Sequence, residues 1–349
     1  KRQLALEGHG SEKCLSLVSL ASLRRSQSRF DEAEKLYRQA LEAIAESRGK
    51  THKYYANTLG HLASLFRELG RRDDAEQLYH EVADIRLNHF GTAHPRYRMS
   101  MSSLGEFYLS TGQHRQAEDY FRKALEISES IYGKGHPKLG QEMQRLAGFY
   151  QLTGQDGRAF ELLEKAVTLQ NQYIERTSVA LSESQQLTMI RTGIDTLHNL
   201  TSLYASTGRD PRQLYQYCLS TKGYSLARQA AYRRLADDKS LTALFAKLQS
   251  VTARLAHHFN QDPSKFEQSS EISWHQRLTQ LADVKSGYEK ELARESQVFR
   301  RLQEDWEFEN WFEAIPQSFV LIDFLRYRHR TVSPSPTKRK FRFEERYVV

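Results

Sequence analysis

The chain has 349 residues, of which 39% are hydrophobic and 27% are charged, and its formal net charge is +8. Its only two cysteines, Cys14 and Cys218, lie far apart without a Cys-x-x-Cys partner, which excludes a disulfide framework or a zinc finger. No apolar run approaches the roughly 18 residues of a membrane-spanning helix, so we expect a cytoplasmic protein without a membrane partner.

A 42-residue repeat organises the first half of the chain. Three registers share this spacing: Leu20, Leu62, Leu104 and Leu146; Ala33, Ala75, Ala117 and Ala159; and Gly70, Gly112 and Gly154. In each unit the leucine belongs to the apolar stripe of a first helix, the glycine ends that helix, and the alanine belongs to a second helix. Such a pair must stack on its neighbours to bury its apolar face. Residues 1–177 therefore predict four helical repeats of a solenoid.

Histidines mark the joints between these units. His94-Pro95 and His136-Pro137 occupy equivalent positions, and His52-Lys53 stands at the first joint. Proline ends a preceding helix and pre-sets the start of a new one. We interpret the joint histidines as capping or packing residues and not as metal ligands.

After residue 177 the strict period fails. The first-helix phrase returns in Asn199–Tyr204 with Gly208, 54 residues after its counterpart, so residues 178–225 predict an atypical fifth helical repeat with an extended helix. Residues 226–316 contain two long amphipathic stripes separated by Asp262-Pro263, which predict a helical hairpin packed on the last repeats. We expect His257, His258 and His275 to be surface polar residues. We expect three tryptophans to pack in the core or at a domain junction: Trp274, Trp306 and Trp311.

The pattern changes again at Ile315-Pro316. Residues 319–328 are aromatic and β-branched and predict a strand, and residues 341–349 are expected to pair back after a turn at residues 333–337. Residues 317–349 thus predict the start of a sheet domain. The chain begins without methionine and ends within the second predicted strand, so we expect it to be an internal piece of a longer protein.

Two resemblances follow from these features. The repeats match the tetratricopeptide pattern, and their 42-residue length resembles that of kinesin light chains and bacterial relatives. The order of elements after the repeats resembles that of bacterial tetratricopeptide proteins with a CHAT domain, which is a caspase-like module. The segments of this sequence that carry the resemblance are Leu181–Gln185, Tyr217–Gly223, Tyr288–Ser296, Ile315-Pro316 and Phe324–Tyr327. The resemblance implies an all-α solenoid and helical hairpin, followed by the first strands of a truncated α/β caspase-like domain in cis.

That resemblance also implies a histidine and cysteine dyad in the sheet domain. After the first predicted strand this sequence contains only His329 and no cysteine, so no catalytic residue is assigned and we expect the chain itself to be inert as an enzyme. The sequence also lacks a Gly-rich phosphate loop, His-Glu-x-x-His and Gly-x-Ser-x-Gly, so no cofactor or metal is expected. The basic cluster Lys338–Lys340 favours a solvated loop, with nucleic-acid binding as a weaker alternative.

The expected working surface is the groove formed by the first helices. The resemblance to tetratricopeptide proteins places groove residues at Arg25, His61, Ser64, Arg67, Ser103, Glu106, Gln144, Arg145 and Gln151. This mixed, mildly basic strip suits an extended peptide or a partner helix, whereas the alternative is ordinary solvent-facing surface. Two hypotheses for function remain open. The chain is the sensor and scaffold portion of a CHAT-type cysteine peptidase, or it is a non-enzymatic tetratricopeptide adaptor.

Overall fold

The structure of the chain is a computed structural model that describes most of the first 300 residues and two later segments. The described residues are 2–177, 183–210, 213–214, 216–217, 238–267, 270, 272–297, 299–300, 325–332 and 341–348. Their contacts divide the chain into two compact units, Lys1–Lys134 and Gly135–Val349. This division falls inside the predicted repeat region, and the predicted domain boundaries remain predictions.

The first unit consists of three stacked helix pairs. Its helices are α1 (Arg2–Ser26), α2 (Phe30–Arg48), α3 (Lys53–Glu68), α4 (Arg72–Phe90), α5 (Pro95–Ser110) and α6 (His114–Tyr132). Each first helix packs on the second helix of its own repeat, and α2 and α4 also pack on the first helix that follows. The predicted helical repeats are confirmed here, because each helix pair covers the apolar face that its neighbour exposes.

Left-handed residues end the first helices. Gly70 and Gly112 have φ of 75° and 80°, as the glycine register predicted. The equivalent residue of the first repeat is Ser28, whose φ of 61° is unfavourable for a residue with a Cβ atom. The turn geometry is therefore imposed by the stacking of the two helices even where the sequence does not supply glycine.

A second glycine register, which the sequence analysis missed, ends the second helices. Gly49, Gly91 and Gly133 also recur every 42 residues and have φ of 84°, 79° and 82°. Glycine, and not the joint proline, therefore terminates the preceding helix. Pro95 has the other predicted role, because it occupies the first turn of α5, where its missing N–H is harmless.

A small residue follows the repeated leucine in each first helix and permits the two helices of a repeat to approach closely. A Cβ atom on Gly105 would lie 2.8 Å from the ring of Phe121 in α6. The aromatic ring thus packs directly on the backbone of α5. This contact explains why the position carries glycine in the third repeat, where the other three repeats have alanine.

The second unit begins with the fourth repeat and continues into helices of a different length. Its elements are α7 (Leu139–Leu152), α8 (Asp156–Thr177), α9 (Glu183–Thr207), α10 (Thr242–Asn260), α11 (Pro263–Glu267), α12 (Trp274–Glu295), β1 (Leu325–Val332) and β2 (Phe341–Val348). Gly154 and Gly208 have φ of 78° and 64° at the ends of α7 and α9. No helix in the described ranges is both long and apolar enough to cross a membrane.

Helices α10 and α12 pack on each other around a separate apolar core. Phe245, Leu248, Leu255 and Leu292 are buried in it, and Trp274 is fully buried at the start of α12. The prediction of a core role is confirmed for Trp274, whereas Trp306 and Trp311 lie outside the described residues. The side chain of Ser273 accepts a hydrogen bond from the backbone N–H of Gln276 and caps α12.

Antiparallel pairing joins β1 and β2. Leu325 pairs with Val348, and Val332 pairs with Phe341. The first strand therefore continues past Arg328, where the predicted strand ended, while residues 319–324 and the predicted turn lie outside the described ranges. A two-stranded hairpin is too small to identify a caspase-like domain, and the fold that the structure establishes is the helical repeat architecture.

Candidate peptide-binding groove

Ion pairs connect the predicted groove arginines of the first unit to neighbouring first helices. Arg25 of α1 donates from Nε to Glu68 Oε2 at 2.8 Å and from Nη2 to Glu68 Oε1 at 2.5 Å. Arg67 Nη1 of α3 lies 3.9 Å from Glu106 Oε2 of α5. The hydrogen bond from Arg25 lowers the pKa of the Glu68 carboxyl. The strip thus contains a row of alternating charges across α1, α3 and α5.

The other groove candidates of the first unit lie between these ion pairs. The ring of His61 stacks on Tyr37 with centroids 5.9 Å apart, and burial together with Arg25 and Arg86 lowers its pKa. Ser64 Oγ is 3.1 Å from the hydroxyl of Tyr79 and also donates to the carbonyl of Gly60. Ser64 therefore ties α3 to α4 and has less capacity left for a ligand.

Ser103 is half-buried on the same helix as Glu106. The contacts of Arg67 and Glu106 show that α3 and α5 approach closely at this level. Ser103 remains a predicted groove residue.

Three candidates belong to the second unit and have different environments. Gln144 Nε2 of α7 donates to Thr196 Oγ1 of α9. Arg145 is exposed and its Nε lies 3.9 Å from the buried carboxylate of Glu142. Gln151 is buried, and its Oε1 has no hydrogen-bond partner among the residues that the structure describes, so it offers little surface to a ligand. Within this unit Arg145 is the candidate best placed to meet a partner from solution.

A buried arginine that the sequence analysis missed lies behind the first-unit candidates. Arg86 of α4 donates from Nη2 to Asn57 Oδ1 of α3 and from Nη1 to Ser100 Oγ of α5, each at 3.1 Å. Burial lowers its pKa to about 10. The signal was available, because Arg86 interrupts the apolar stripe of α4 where the first repeat has Ile44. This guanidinium ties three helices together and brings positive potential close to His61.

Two of the joint histidines, His52 and His94, cap the helices that follow them, as predicted, and the third bonds to the backbone just before its helix. His52 Nδ1 accepts from the backbone N–H of Tyr54 at 3.2 Å, and His94 Nδ1 accepts from Arg96 at 3.1 Å. His136 Nδ1 makes the equivalent bond to the N–H of Lys138 at 3.1 Å. The rings of His52 and His94 satisfy a backbone donor that the first turn of a helix leaves unpaired, whereas His136 bonds to the residue that precedes α7.

His136 also joins the fourth repeat to the helical hairpin. Its Nε2 is 3.2 Å from the carbonyl oxygen of Phe259 in α10, and its ring lies 5.7 Å from that of Trp274 in α12. Tyr173 of α8 contacts Phe259 edge-on and accepts a hydrogen bond from Asn260. The predicted packing of the hairpin on the last repeats is thus present within the second unit.

The expected exposure of His258 is wrong. Its side chain is buried, its Nε2 is 2.8 Å from the carbonyl oxygen of Trp274, and its Nδ1 is 3.0 Å from Gln261 Oε1. The indole of Trp274 donates in return to the carbonyl oxygen of His258 at 3.1 Å. The polar ring is buried because every one of its hydrogen-bonding atoms finds a partner. Among the described side chains no group of three or more His, Cys, Asp and Glu residues is arranged to hold a metal ion.

Comparison with protein families identifies the repeats. Residues 12–88 and 96–183 match the family model for the tetratricopeptide repeat. The match ends at residue 183, so the resemblance to CHAT-domain proteins continues to rest on short sequence phrases alone. Comparison with curated proteins gave no match.

Several solved structures are similar to the chain. A putative kinesin light chain from Podosopora anserina with nearly identical TPR-like repeats is 22% identical, covers 61% of this chain and 95% of its own, and has a TM-score of 0.45. BtubC (BKLC) from P. vanneervenii is 21% identical, covers 66% and 91%, and has a TM-score of 0.46. A Rap protein complexed with Competence and Sporulation Factor is 12% identical, covers 86% and 80%, and has a TM-score of 0.42. At these values none of the similarities bears on function.

Proposed function

Because residues 12–88 and 96–183 are tetratricopeptide repeats, we propose that the chain is a protein-interaction module whose first helices bind a segment of a protein partner. Tetratricopeptide repeats generally mediate protein–protein interaction. The observation that supports this proposal is the row of ion pairs that joins α1, α3 and α5, Arg25 with Glu68 and Arg67 with Glu106. Exposed pairs of this kind contribute little to folding, so their charges are available for exchange with a ligand.

The alternating charges define the chemistry of the partner. Each carboxylate in the row can accept from a lysine or a backbone N–H, and each guanidinium can donate to a carboxylate or a carbonyl oxygen. An extended segment with both acidic and polar side chains meets these requirements, because it replaces one set of charge-assisted hydrogen bonds with another. A purely acidic or purely basic segment would leave half of the row unpaired.

Charge reversal in the groove tests the proposal. Peptides selected from a random library on the immobilised chain would be measured by fluorescence anisotropy against the wild type and Arg67→Glu. We expect at least tenfold weaker binding to the variant, because the new carboxylate repels the acidic groups of the ligand. The matched control is Arg38→Glu on α2, whose side chain is 55% exposed, forms an ion pair with Glu34 of the same helix and lies over the ring of Phe66 at 5.8 Å.

The binding result is meaningful only if both variants keep the wild-type fold. Far-ultraviolet circular dichroism should be the same for wild type and both variants, because the altered residues lie at the surface. Unchanged affinity in Arg67→Glu would reject the groove. An equal loss with Arg38→Glu would show a general effect of net charge and would also reject it.

The finer hypothesis of a CHAT-type peptidase is compatible with a β-hairpin after the helical hairpin, but it is supported only by the sequence phrases. It requires a cysteine and a histidine at strand ends of a sheet domain. The coding sequence beyond Val349 tests it directly: an open reading frame without such a pair would leave the non-enzymatic adaptor. The weaker nucleic-acid alternative concerns residues 338–340, which lie outside the described ranges, and absence of polynucleotide binding at low salt would end it.

A further inference from the structure

Arg86 of α4 is a buried cation that lacks a counter-charge. Its side chain is only 9% exposed, and within the described part of the chain no carboxylate forms an ion pair with it. Burial is the main reason that its pKa falls to about 10, and the nearby charge of Arg96 adds to the effect. A buried charge without a counter-charge is unfavourable, because water no longer solvates it. The place opposite this guanidinium therefore suits an anion.

One edge of the Arg86 guanidinium retains unused hydrogen-bond donors. Nη1 donates to two oxygens of α5, and Nη2 donates to Asn57 Oδ1 of α3. The Nε atom has no partner among the described residues. Since a guanidinium has five N–H groups, the Nε–H and one N–H of Nη2 remain. Arg25 uses the same two nitrogens, Nε and Nη2, to hold both oxygens of Glu68. The unused edge of Arg86 thus matches one carboxylate.

The guanidinium lies in the seam between two first helices. Helix α4 packs on both α3 and α5, and the tip of Arg86 bonds to Asn57 of α3 and Ser100 of α5. Asn57 is partly exposed and lies one helical turn before His61, an exposed groove candidate. The charge of Arg86 contributes to the lowered pKa of His61, so the two groups are close. We call the place bounded by Asn57, Arg86 and Ser100 the Arg86 site.

The helices around the Arg86 site carry no acidic residue that could neutralise it. Residues 47–67 and 85–105 contain several lysines and arginines but no aspartate or glutamate. These segments include nearly all of α3, the end of α4 and most of α5. The two glutamates that follow them in the groove already pair with Arg25 and Arg67. The potential around the site is therefore positive and attracts an acidic ligand.

We propose that the Arg86 site binds one carboxylate of the partner segment as a bidentate ion pair to Nε and Nη2. This inference rests on the function proposed above and adds the anchor that sets the register of the segment. Because Nε is closed to solvent, the carboxylate takes the place of Asn57 Oδ1 beside the guanidinium. The other three repeats offer no cation at this position, where they have Ile44, Ser128 and Gln170. One acidic group of the segment is thus read at the second repeat alone.

Peptides selected on the immobilised full chain provide the probe. Each aspartate or glutamate of the tightest binder is replaced by its amide, and the C-terminus is tested free and amidated to distinguish the two sources of a carboxylate. One such change should weaken binding to the wild type at least tenfold. Arg86→Ile should cause the same loss and should no longer respond to that change, because the two groups interact directly.

Two features of the chain control the variant. Isoleucine is the residue of the first repeat at this position, where Ile44 is 2% exposed, so the repeat fold accepts it. Lys50→Gln is the matched control, because it removes the same charge from an exposed turn between α2 and α3. We expect the affinity of Lys50→Gln to stay within twofold of the wild type. An equal loss in Lys50→Gln and Arg86→Ile would overturn the proposal.

A measurement on the wild type alone keeps the test decisive if Arg86→Ile does not fold. Saturation with the acidic peptide should raise the pKa of His61 in a nuclear magnetic resonance titration, because the carboxylate offsets the charge of Arg86. Saturation with the amide peptide should not. Equal binding of all replaced peptides, or the same pKa with both, would overturn the proposal. Peptides that require Arg67 but bind Arg86→Ile normally would reject this inference alone, whereas failure to select any peptide would reject the proposed function and this inference with it.

Discussion

Acidification should destabilise the second unit through His136. The Nδ1 atom of this buried ring accepts from Lys138 N, and Nε2 donates to the carbonyl oxygen of Phe259. Only the neutral imidazole makes both bonds, because a protonated Nδ1 cannot accept. Protonation would break the hydrogen bond from Lys138 N and place a buried positive charge in the contact with α10.

The size of the effect follows from the change in pKa on folding. The pKa of His136 is lowered to about 4, chiefly by burial and also by the charges of Lys138 and His275, whereas the hydrogen bond to the Phe259 carbonyl opposes this change. An unfolded histidine titrates near pH 6.5. Between pH 6.5 and 4 the unfolded state therefore binds the proton first, and stability is lost as the pH falls. From pH 7.5 to pH 4.5 the loss is about 2.5 kcal/mol from this residue.

Urea unfolding followed by circular dichroism measures this loss. His136→Asn is the comparison, because asparagine can cap a helix but does not titrate. The difference in unfolding free energy between wild type and variant should shrink by about 2.5 kcal/mol at the lower pH. Since acidic residues titrate alike in both proteins, their contribution cancels. His52→Asn, at a less buried joint, should show a smaller change. A pKa of His136 at or above 6.5 in a nuclear magnetic resonance titration would refute the reasoning.

Two backbone predictions complete the set. Ser28→Gly should raise the unfolding free energy by about 1 kcal/mol, because serine is strained at a φ of 61°; a lower urea midpoint would contradict this. Gly105→Ala should lower stability by about 1–3 kcal/mol, since its Cβ would lie 2.8 Å from the Phe121 ring. In the control Gly140→Ala the nearest atom is the Cβ of Ala166 at 3.9 Å, so no loss is expected. Equal losses in both glycine variants would contradict the close-approach argument.

The local features of the fold could be predicted because they depend on residues close together in the sequence. Gly70 and Gly112 adopt a left-handed conformation at the ends of their helices, and glycine favours this conformation whatever the later course of the chain. His94 caps α5 by bonding to a backbone N–H two residues away. The stripe of leucine and alanine determines which side of each helix is apolar. These signals repeat at one period and therefore support one another.

The candidate site was predicted less completely, because its chemistry depends on distant pairs. Arg25 bonds to Glu68, which lies 43 residues further along the sequence, and no local pattern predicts that pair. His258 looks like a surface residue beside the exposed His257, yet Gln261 and the backbone of Trp274 complete its hydrogen bonds. Arg86 stands out locally as a charge in the apolar stripe of α4, but its partners could not be predicted because they belong to two other helices.

The sequence by itself determined a stack of helix pairs, their turns and their caps, since each requires only short-range geometry and a repeated apolar face. Only the tertiary structure decided which parts of that face remain open. Leu20 and Leu62 are the same residue at the same position of the repeat, but one is 38% exposed and the other 2%. The physical reason is that burial is a property of the neighbouring helix, which the residue itself does not encode.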